Sequence, residues 1–161
     1  MLLRLANTED IPAIVALERL PESGRFVGQW NEERHRATVF SADARYFVGE
    51  TESGGLCAYA ILRGLAEDSG SIELKRLVVH PPGQGLGRQI LSELLRIAFE
   101  EFAAHRVFLD VFSDNPRAVH LYKSLGFVEE GLLREAARRE GAYCSLHLLS
   151  LLDREWVAGK K

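Results

Sequence analysis

Leu77-Val78-Val79-His80-Pro81-Pro82-Gly83-Gln84-Gly85-Leu86-Gly87-Arg88 joins the end of an apolar run to the start of an amphipathic one through alternating glycines. The run before it reads as a strand. The stretch after it reads as a helix from about Gly85 to Phe102, with Leu91, Leu94, Leu95, Ala98 and Phe102 on one stripe. A glycine-rich turn between strand and helix is the physical recipe for a phosphate site. The first helical amides have no partner within the helix, and the helix dipole adds partial positive charge there. Glycine lets the backbone approach an anion and take positive φ. The plain alternative is a tight turn that uses glycine for geometry alone; three alternating glycines favour the phosphate reading.

The strand feeding this turn, Ile72 to Val79, has a phase problem. Ile72 and Leu74 share one face of a regular strand, whereas Leu77 and Val79 fall on the other. One extra residue near Lys75-Arg76, a β-bulge, brings all four to one side. A strand buried on both faces needs no bulge, and the sequence leaves both readings open. Upstream, Leu2 to Leu5 predicts a short strand. Asn7-Thr8-Glu9-Asp10 predicts a helix start before Ile11, Ile14, Val15 and Leu17. Pro21, Gly24 and Gly28 interrupt the pattern, and a second short helix is expected from Asn31 to about Val39. Arg45–Thr51 and Leu56–Leu62 read as a hairpin around Ser53-Gly54-Gly55. Downstream come a strand Val107–Phe112, a helix Pro116–Leu125, and two strands, Phe127 to about Ala137 and Tyr143–Leu151. The order β-α-α-β-β-β-α-β-α-β-β predicts an α/β domain with a mixed sheet.

At 161 residues one domain is expected over 1–161. A chain of this size buries roughly two-thirds of its unfolded surface and needs no metal or disulfide to fold. The net charge of −3 argues against nucleic-acid binding, which calls for a basic excess. Cys57 and Cys144 belong to no CxxC or Cys/His cluster and read as small apolar strand residues, in keeping with a reducing cytoplasm. No apolar run is long enough to span a bilayer, and Met1–Asn7 lacks the pattern of a secretory leader. The expected setting is cytoplasmic, without membrane or metal.

Two nucleotide motifs fail on spacing. A dinucleotide-binding GxGxxG needs its third glycine at Arg88, and a P-loop needs a Gly-Lys-Ser/Thr ending. What fits is an acyl-CoA pattern. From Leu77 to Leu91 the chain resembles motif A of the GCN5-related N-acetyltransferases (GNAT): a Val-Val-His-Pro strand end, x-x-Gly-x-Gly, then an amphipathic helix. Asn115-Pro116-Arg117-Ala118-Val119-His120-Leu121-Tyr122-Lys123-Ser124-Leu125-Gly126-Phe127 is similar to that family's Asn-x-x-Ala-x-x-Leu-Tyr-x-x-x-Gly-Phe segment. Glu130–Glu135, Tyr143 and the leucine-rich end near Glu155-Trp156 resemble the subgroup that contains ribosomal-protein N-terminal acetyltransferases. One departure is Pro82, where the family motif has Gln or Arg; proline has no amide hydrogen to offer a phosphate.

The resemblance implies a mixed, mostly antiparallel sheet flanked by helices. It also implies transfer of an acetyl group from acetyl-CoA to a primary amine, on a small molecule or a protein N-terminus. It extends to a homodimer, a common state in similar proteins. Leu77, Val78 and Val79 are expected to pair with the cofactor's pantetheine arm. Gly83, Gln84, Gly85, Leu86, Gly87, Arg88 and Asn115 are the other expected cofactor contacts, with the amides of Gly83, Gly85, Gly87 and Arg88 as phosphate donors; Asn115 also reads as a helix cap. Tyr122 is the candidate general acid for the departing thiolate, since a phenol near pKa ~10 is protonated at neutral pH. Spacing alone would make it a core aromatic. Glu73 is the candidate base; its plain reading is a solvated strand carboxylate. Arg25, Trp30 and Tyr143, with Phe26, are candidates to line the acceptor side, though Arg25 and Trp30 also suit ordinary loop positions. No histidine stands in a triad arrangement, and His35 reads as a surface residue. The competing functions are an acyl-CoA-binding sensor without transfer activity and a nucleotide-dependent oxidoreductase, the latter disfavoured by Arg88.

Overall fold

Residues 71–79 alternate half-buried and buried side chains along their whole length, the pattern of an extended segment covered on both faces. The computed structural model describes residues 1–159. In chain order these form β1 (Leu2–Leu5), α1 (Ile11–Glu18), α2 (Pro21–Gly24), α3 (Glu32–Val39), β2 (Ala44–Glu50), β3 (Leu56–Arg63), β4 (Ser71–Val79), α4 (Leu86–Arg96), β5 (Arg106–Phe112), α5 (Pro116–Ser124), β6 (Val128–Arg139), β7 (Ala142–Leu152) and α6 (Asp153–Gly159). The strands make one seven-stranded sheet in the order β1-β2-β3-β4-β5-β7-β6. Only β4 and β5 run parallel; every other neighbour is antiparallel. The expected mixed, mostly antiparallel sheet with helices flanking it is the observed fold.

Local chemistry accounts for the helix ends. Asn31 Oδ1 accepts from the Arg34 amide at 2.9 Å and starts α3. Asn7 and Asp10 form a reciprocal capping box around a single 3-10 turn, Thr8–Asp10, ahead of α1. Past α4 the helix widens into a π-helical turn, Ile97–Glu101, inside what the sequence predicts as one continuous helix. The short α2 and the terminal α6 are additional to the expected elements.

The bulge in β4 is present. Ile61 of β3 stands opposite Arg76 and Leu62 opposite Leu74, so Lys75 is the extra residue. Ile72, Leu74, Leu77 and Val79 all pack into one core with Ile90, Leu91, Leu94 and Leu95 of α4. Those four α4 side chains are at most 2% exposed, and each contributes roughly 1.5–3 kcal/mol by leaving water. Val78 points to the opposite face, among Ile14, Leu17, Trp30, Tyr46 and Tyr59. The strand is therefore bulged and also covered on both sides.

The parallel pairing of β4 with β5 is short. It runs Ser71↔Arg106, Ile72↔Val107, Glu73↔Phe108 and stops, while β5 stays paired with β7 as far as Phe112↔Leu146. Beyond Glu73, where the Lys75 bulge bends β4, the two strands separate and leave a cleft in the middle of the sheet.

Candidate active site

The open end of the β4–β5 gap holds two adjoining cavities. One, of about 450 Å³, is lined among others by Glu22, by Leu77, Val78 and Val79, by Pro82, Gly83, Gly85, Leu86, Gly87 and Arg88, and by Asn115, Arg117, Leu121 and Tyr122. The other, of about 660 Å³, is lined by Trp30, Arg34, Lys75, Arg76, Asp110, Phe112 and Leu146 among others. Six residues line both: Phe26, Val27, Leu77, Asn115, Ala118 and Tyr122. A reactant in one cavity therefore meets a reactant in the other beside Tyr122.

The first cavity has the features of an anion cradle. Gly85 precedes α4 with φ +76° and Gly83 has φ +95°, both in the region that favours glycine. A Cβ on Gly87 would stand 3.3 Å from Leu121, so the third glycine lets α4 and α5 approach. Among the described residues, the amides of Gly83, Gln84, Gly85, Leu86 and Gly87 have no hydrogen-bond acceptor and stand free at the positive end of α4. The expectation for Arg88 needs correcting, because its amide is spent within the turn, bonding Gly85 O at 3.1 Å. Gln84 is exposed and outside the cavity lining. Arg117, one residue past the α5 proline, lines the cavity; its signal in the sequence was a cation beside Asn115-Pro116. Asn115 accepts from the Ala118 amide at 3.2 Å, so it caps α5 and lines the cavity at once. The edge of β4 that faces β5 has no partner strand over Leu77–Val79.

Tyr122 is 9% exposed and packs edge-on against Phe127. Burial pushes its phenol well above the usual tyrosine pKa, and the charge of Asp110 adds to the effect. Its hydroxyl has no protein acceptor among the described residues. The Asp110 side chain is open to the cleft; the loss of surrounding water between the strands and the charge of Glu73 raise it above the usual aspartate value, against the opposing charges of Lys75 and Arg76.

The expectation that Glu73 shares this cleft is corrected. Glu73 lies where β4 and β5 are still paired, ahead of the bulge, and lines a separate cavity with Asp43, Arg63 and Ser71. It stands 3.1 Å from Lys75 Nζ and 4.0 Å from Arg63. Asp110, on β5 across the gap, lines the second cavity with Tyr122, and Glu22 of α2 lines the first with it. Nothing in the sequence placed Asp110 beside Tyr122, because strand separation is not written in either strand.

Of the acceptor-side candidates, Trp30 and Phe26 line the second cavity and Arg25 and Tyr143 do not. Arg25 is turned outward to Asp114 at 3.2 Å. Tyr143 is 67% exposed and outside the lining of both cavities. His35, expected at the surface, is fully buried. It is enclosed by the Trp30, Tyr46 and Tyr59 rings, with centroids 5.4, 5.9 and 6.3 Å away, and its Nε2 lies 3.4 Å from Glu18 Oε1. Glu18, also without exposure, accepts hydrogen bonds from the Tyr59 hydroxyl and the Trp30 amide. Among the described residues no group of three His, Cys, Asp or Glu could hold a metal ion, and no helix is long and apolar enough to cross a membrane.

Residues 12–127 match the sequence profile described as the Acetyltransferase (GNAT) family. A spermidine N(1)-acetyltransferase of Vibrio cholerae is 30% identical over 128 residues, covering 78% of this chain and 73% of that one. The N-alpha-acetyltransferase RimI of Mycobacterium tuberculosis is 36% identical over 100 residues, 60% of this chain and 61% of its own length. Among solved structures, the Vibrio cholerae spermidine N-acetyltransferase in complex with CoA and spermine superposes with a TM-score of 0.87 at 25% identity, over 97% of each chain.

Proposed function

The chain belongs to the Acetyltransferase (GNAT) family and is an acetyl-CoA-dependent N-acetyltransferase that acetylates an amine; from that premise we propose how its residues divide the work. The observation that carries the assignment is the position of Tyr122 in the wall common to both cavities. Acetyl-CoA occupies the cavity beside α4, and the amine enters from the cavity lined by Asp110.

The free amides of Gly83, Gln84, Gly85, Leu86 and Gly87, with the side chains of Arg88 and Arg117, take the diphosphate. The unpaired edge of Leu77–Val79 takes the pantetheine arm as an extra strand would. A lysine-like amine is protonated at neutral pH, and neutralising it costs about 4–5 kcal/mol unless a base takes the proton. Asp110 takes that role, directly or through one water, in place of Glu73. The neutral amine attacks the thioester carbonyl, the resulting tetrahedral adduct expels sulfur as Tyr122 protonates it to a thiol, and the adduct's nitrogen gives up its extra proton to restore the phenol as the amide forms. Holding both reactants across one wall supplies much of the remaining acceleration.

The same reading takes residues 1–161 as one acyltransferase domain acting on a small-molecule amine or a protein N-terminus in a reducing cytoplasm. Free Cys57 and Cys144 support that setting. It includes a homodimer joined along β6, an edge strand with Leu132 and Leu133 exposed. Thermal denaturation with acetyl-CoA, NAD and NADP tests the cofactor assignment. Only acetyl-CoA is expected to raise Tm, and a shift with NAD(P) instead would overturn it.

A further inference from the structure

Charge in the acceptor cavity narrows the substrate. Its charged lining consists of Arg34, Lys75, Arg76 and Asp110: three cations against one carboxylate. Lys75 is engaged by Glu73 at 3.1 Å, but the two arginines are not spent in the same way. The Arg76 side chain is 7% exposed, with Nε 3.4 Å from Glu18 Oε1. Its two terminal nitrogens have no acceptor among the described residues. They pass beside Gly28, where a Cβ would stand 3.3 and 3.5 Å from them, so glycine there leaves the fork uncovered. A guanidinium this deeply buried ordinarily has its donors satisfied; here one edge of the fork is left for something that enters the cavity. Arg34 has no carboxylate partner among the described residues. Its guanidinium carbon lies 4.0 Å from the centre of the Trp30 ring, and that of Arg76 lies 4.5 Å from it. One aromatic side chain thus holds two cations beside the same cavity. Buried Glu18 fixes both the Trp30 backbone amide and Arg76, which makes the arrangement preformed.

We propose that the acceptor is a small amine carrying an anionic group, a carboxylate or a phosphate, which docks between Arg34 and Arg76 while its amine faces Asp110 and Tyr122. A planar fork suits bidentate recognition of such oxyanions. A polyamine, the acceptor named for the Vibrio cholerae relative, would set further ammonium groups against Arg34 and Arg76 with only Asp110 to receive one of them. The inference rests on the assignment of the second cavity to the acceptor.

Thiol release from acetyl-CoA, measured with the full chain, tests it. The panel is the twenty protein amino acids against their amides, phosphoethanolamine against ethanolamine, and spermidine with spermine. The expected best substrate is anionic. Matched pairs show whether carboxylate or phosphate is the group read, since the amides keep the amine and side chain. Arg34→Gln, at an exposed position, is expected to lower kcat/KM for that substrate at least about tenfold, the loss of one charged hydrogen bond. The loss is expected to be several-fold smaller for the neutral counterpart, and the acetyl-CoA Tm shift, which reads the other cavity, is expected to persist. Spermidine or spermine surpassing every anionic amine, no anionic amine being acetylated, or Arg34→Gln acting equally on both members of a pair would each overturn the proposal. Absence of an acetyl-CoA Tm shift would instead overturn the cofactor assignment beneath it.

Discussion

Arg76 Nε stands 3.4 Å from Glu18 Oε1, with side chains 7% and 0% exposed, so a bulged strand and the first long helix are joined by a buried charge pair under the acceptor cavity. Neither partner can leave without stranding the other away from water. The pair sets the position of Trp30, because Glu18 also accepts from the Trp30 amide at 2.9 Å.

Glu18→Ala is therefore expected to destabilise by about 3–5 kcal/mol, the cost of an uncompensated buried charge, and to lower Tm by roughly 6–20 °C. Burial drives the Glu18 pKa up, but the close approach of His35, hydrogen bonding from Tyr59 and the Trp30 amide, and the charge of Arg76 outweigh it and leave the carboxyl below its usual value. A depressed folded-state pKa means stability that is present above the unfolded value of ~4.3 and lost as pH falls through the folded one. The difference between wild type and Glu18→Ala is thus expected to hold at neutral pH and to shrink in acid. Denaturant titrations at pH 7 and pH 3 measure it, and equal differences at the two would show the charge to be unimportant.

Tyr122→Phe removes the proposed acid and nothing that touches the glycine loop. Turnover is expected to fall about 10²-fold or more with little change in acetyl-CoA affinity. The raised phenol pKa keeps Tyr122 protonated throughout the accessible alkaline range. Steady-state kinetics with calorimetric binding separates the two effects. Full turnover in the variant would return Tyr122 to a packing role.

Asp110 must lose its proton to act as a base, and its pKa lies above that of an ordinary aspartate. The acid limb of kcat/KM is therefore expected above pH ~3.9, and Asp110→Asn is expected to lower the rate and abolish that limb. Glu73→Gln, in the neighbouring cavity, is expected to alter kcat less than about threefold. A pH profile in which Glu73→Gln and not Asp110→Asn removes the limb would exchange their roles.

Gly85→Asp places a Cβ at φ +76° and a negative charge among free amides. Acetyl-CoA affinity is expected to fall at least about tenfold, since αL geometry alone costs a non-glycine residue roughly 1–2 kcal/mol. Calorimetry on the folded variant reads this directly. Undiminished affinity would move the diphosphate elsewhere.

Local patterns along the chain were enough for the seven strands and the longer helices, for the turn at Gly83–Arg88, for the helix start at Asn31 and for the cap at Asn115, because strand alternation, helix stripes and capping depend on residues a few positions apart; the short α2 and the terminal α6 were not among them. The apolar phase of Ile72–Val79 even raised the bulge, as one of two open readings. Pairing decided the rest. Whether Glu73 or Asp110 meets Tyr122 depends on where β4 parts from β5, and that point is set by which residues of β3 oppose Arg76 and Leu74. His35 looked polar and exposed within a charged helix, yet three aromatic rings and Glu18 from other elements enclose it. Short-range preferences are properties of a segment, whereas strand separation, burial of a charge and the meeting of two cavities arise only when distant segments compete for the same space.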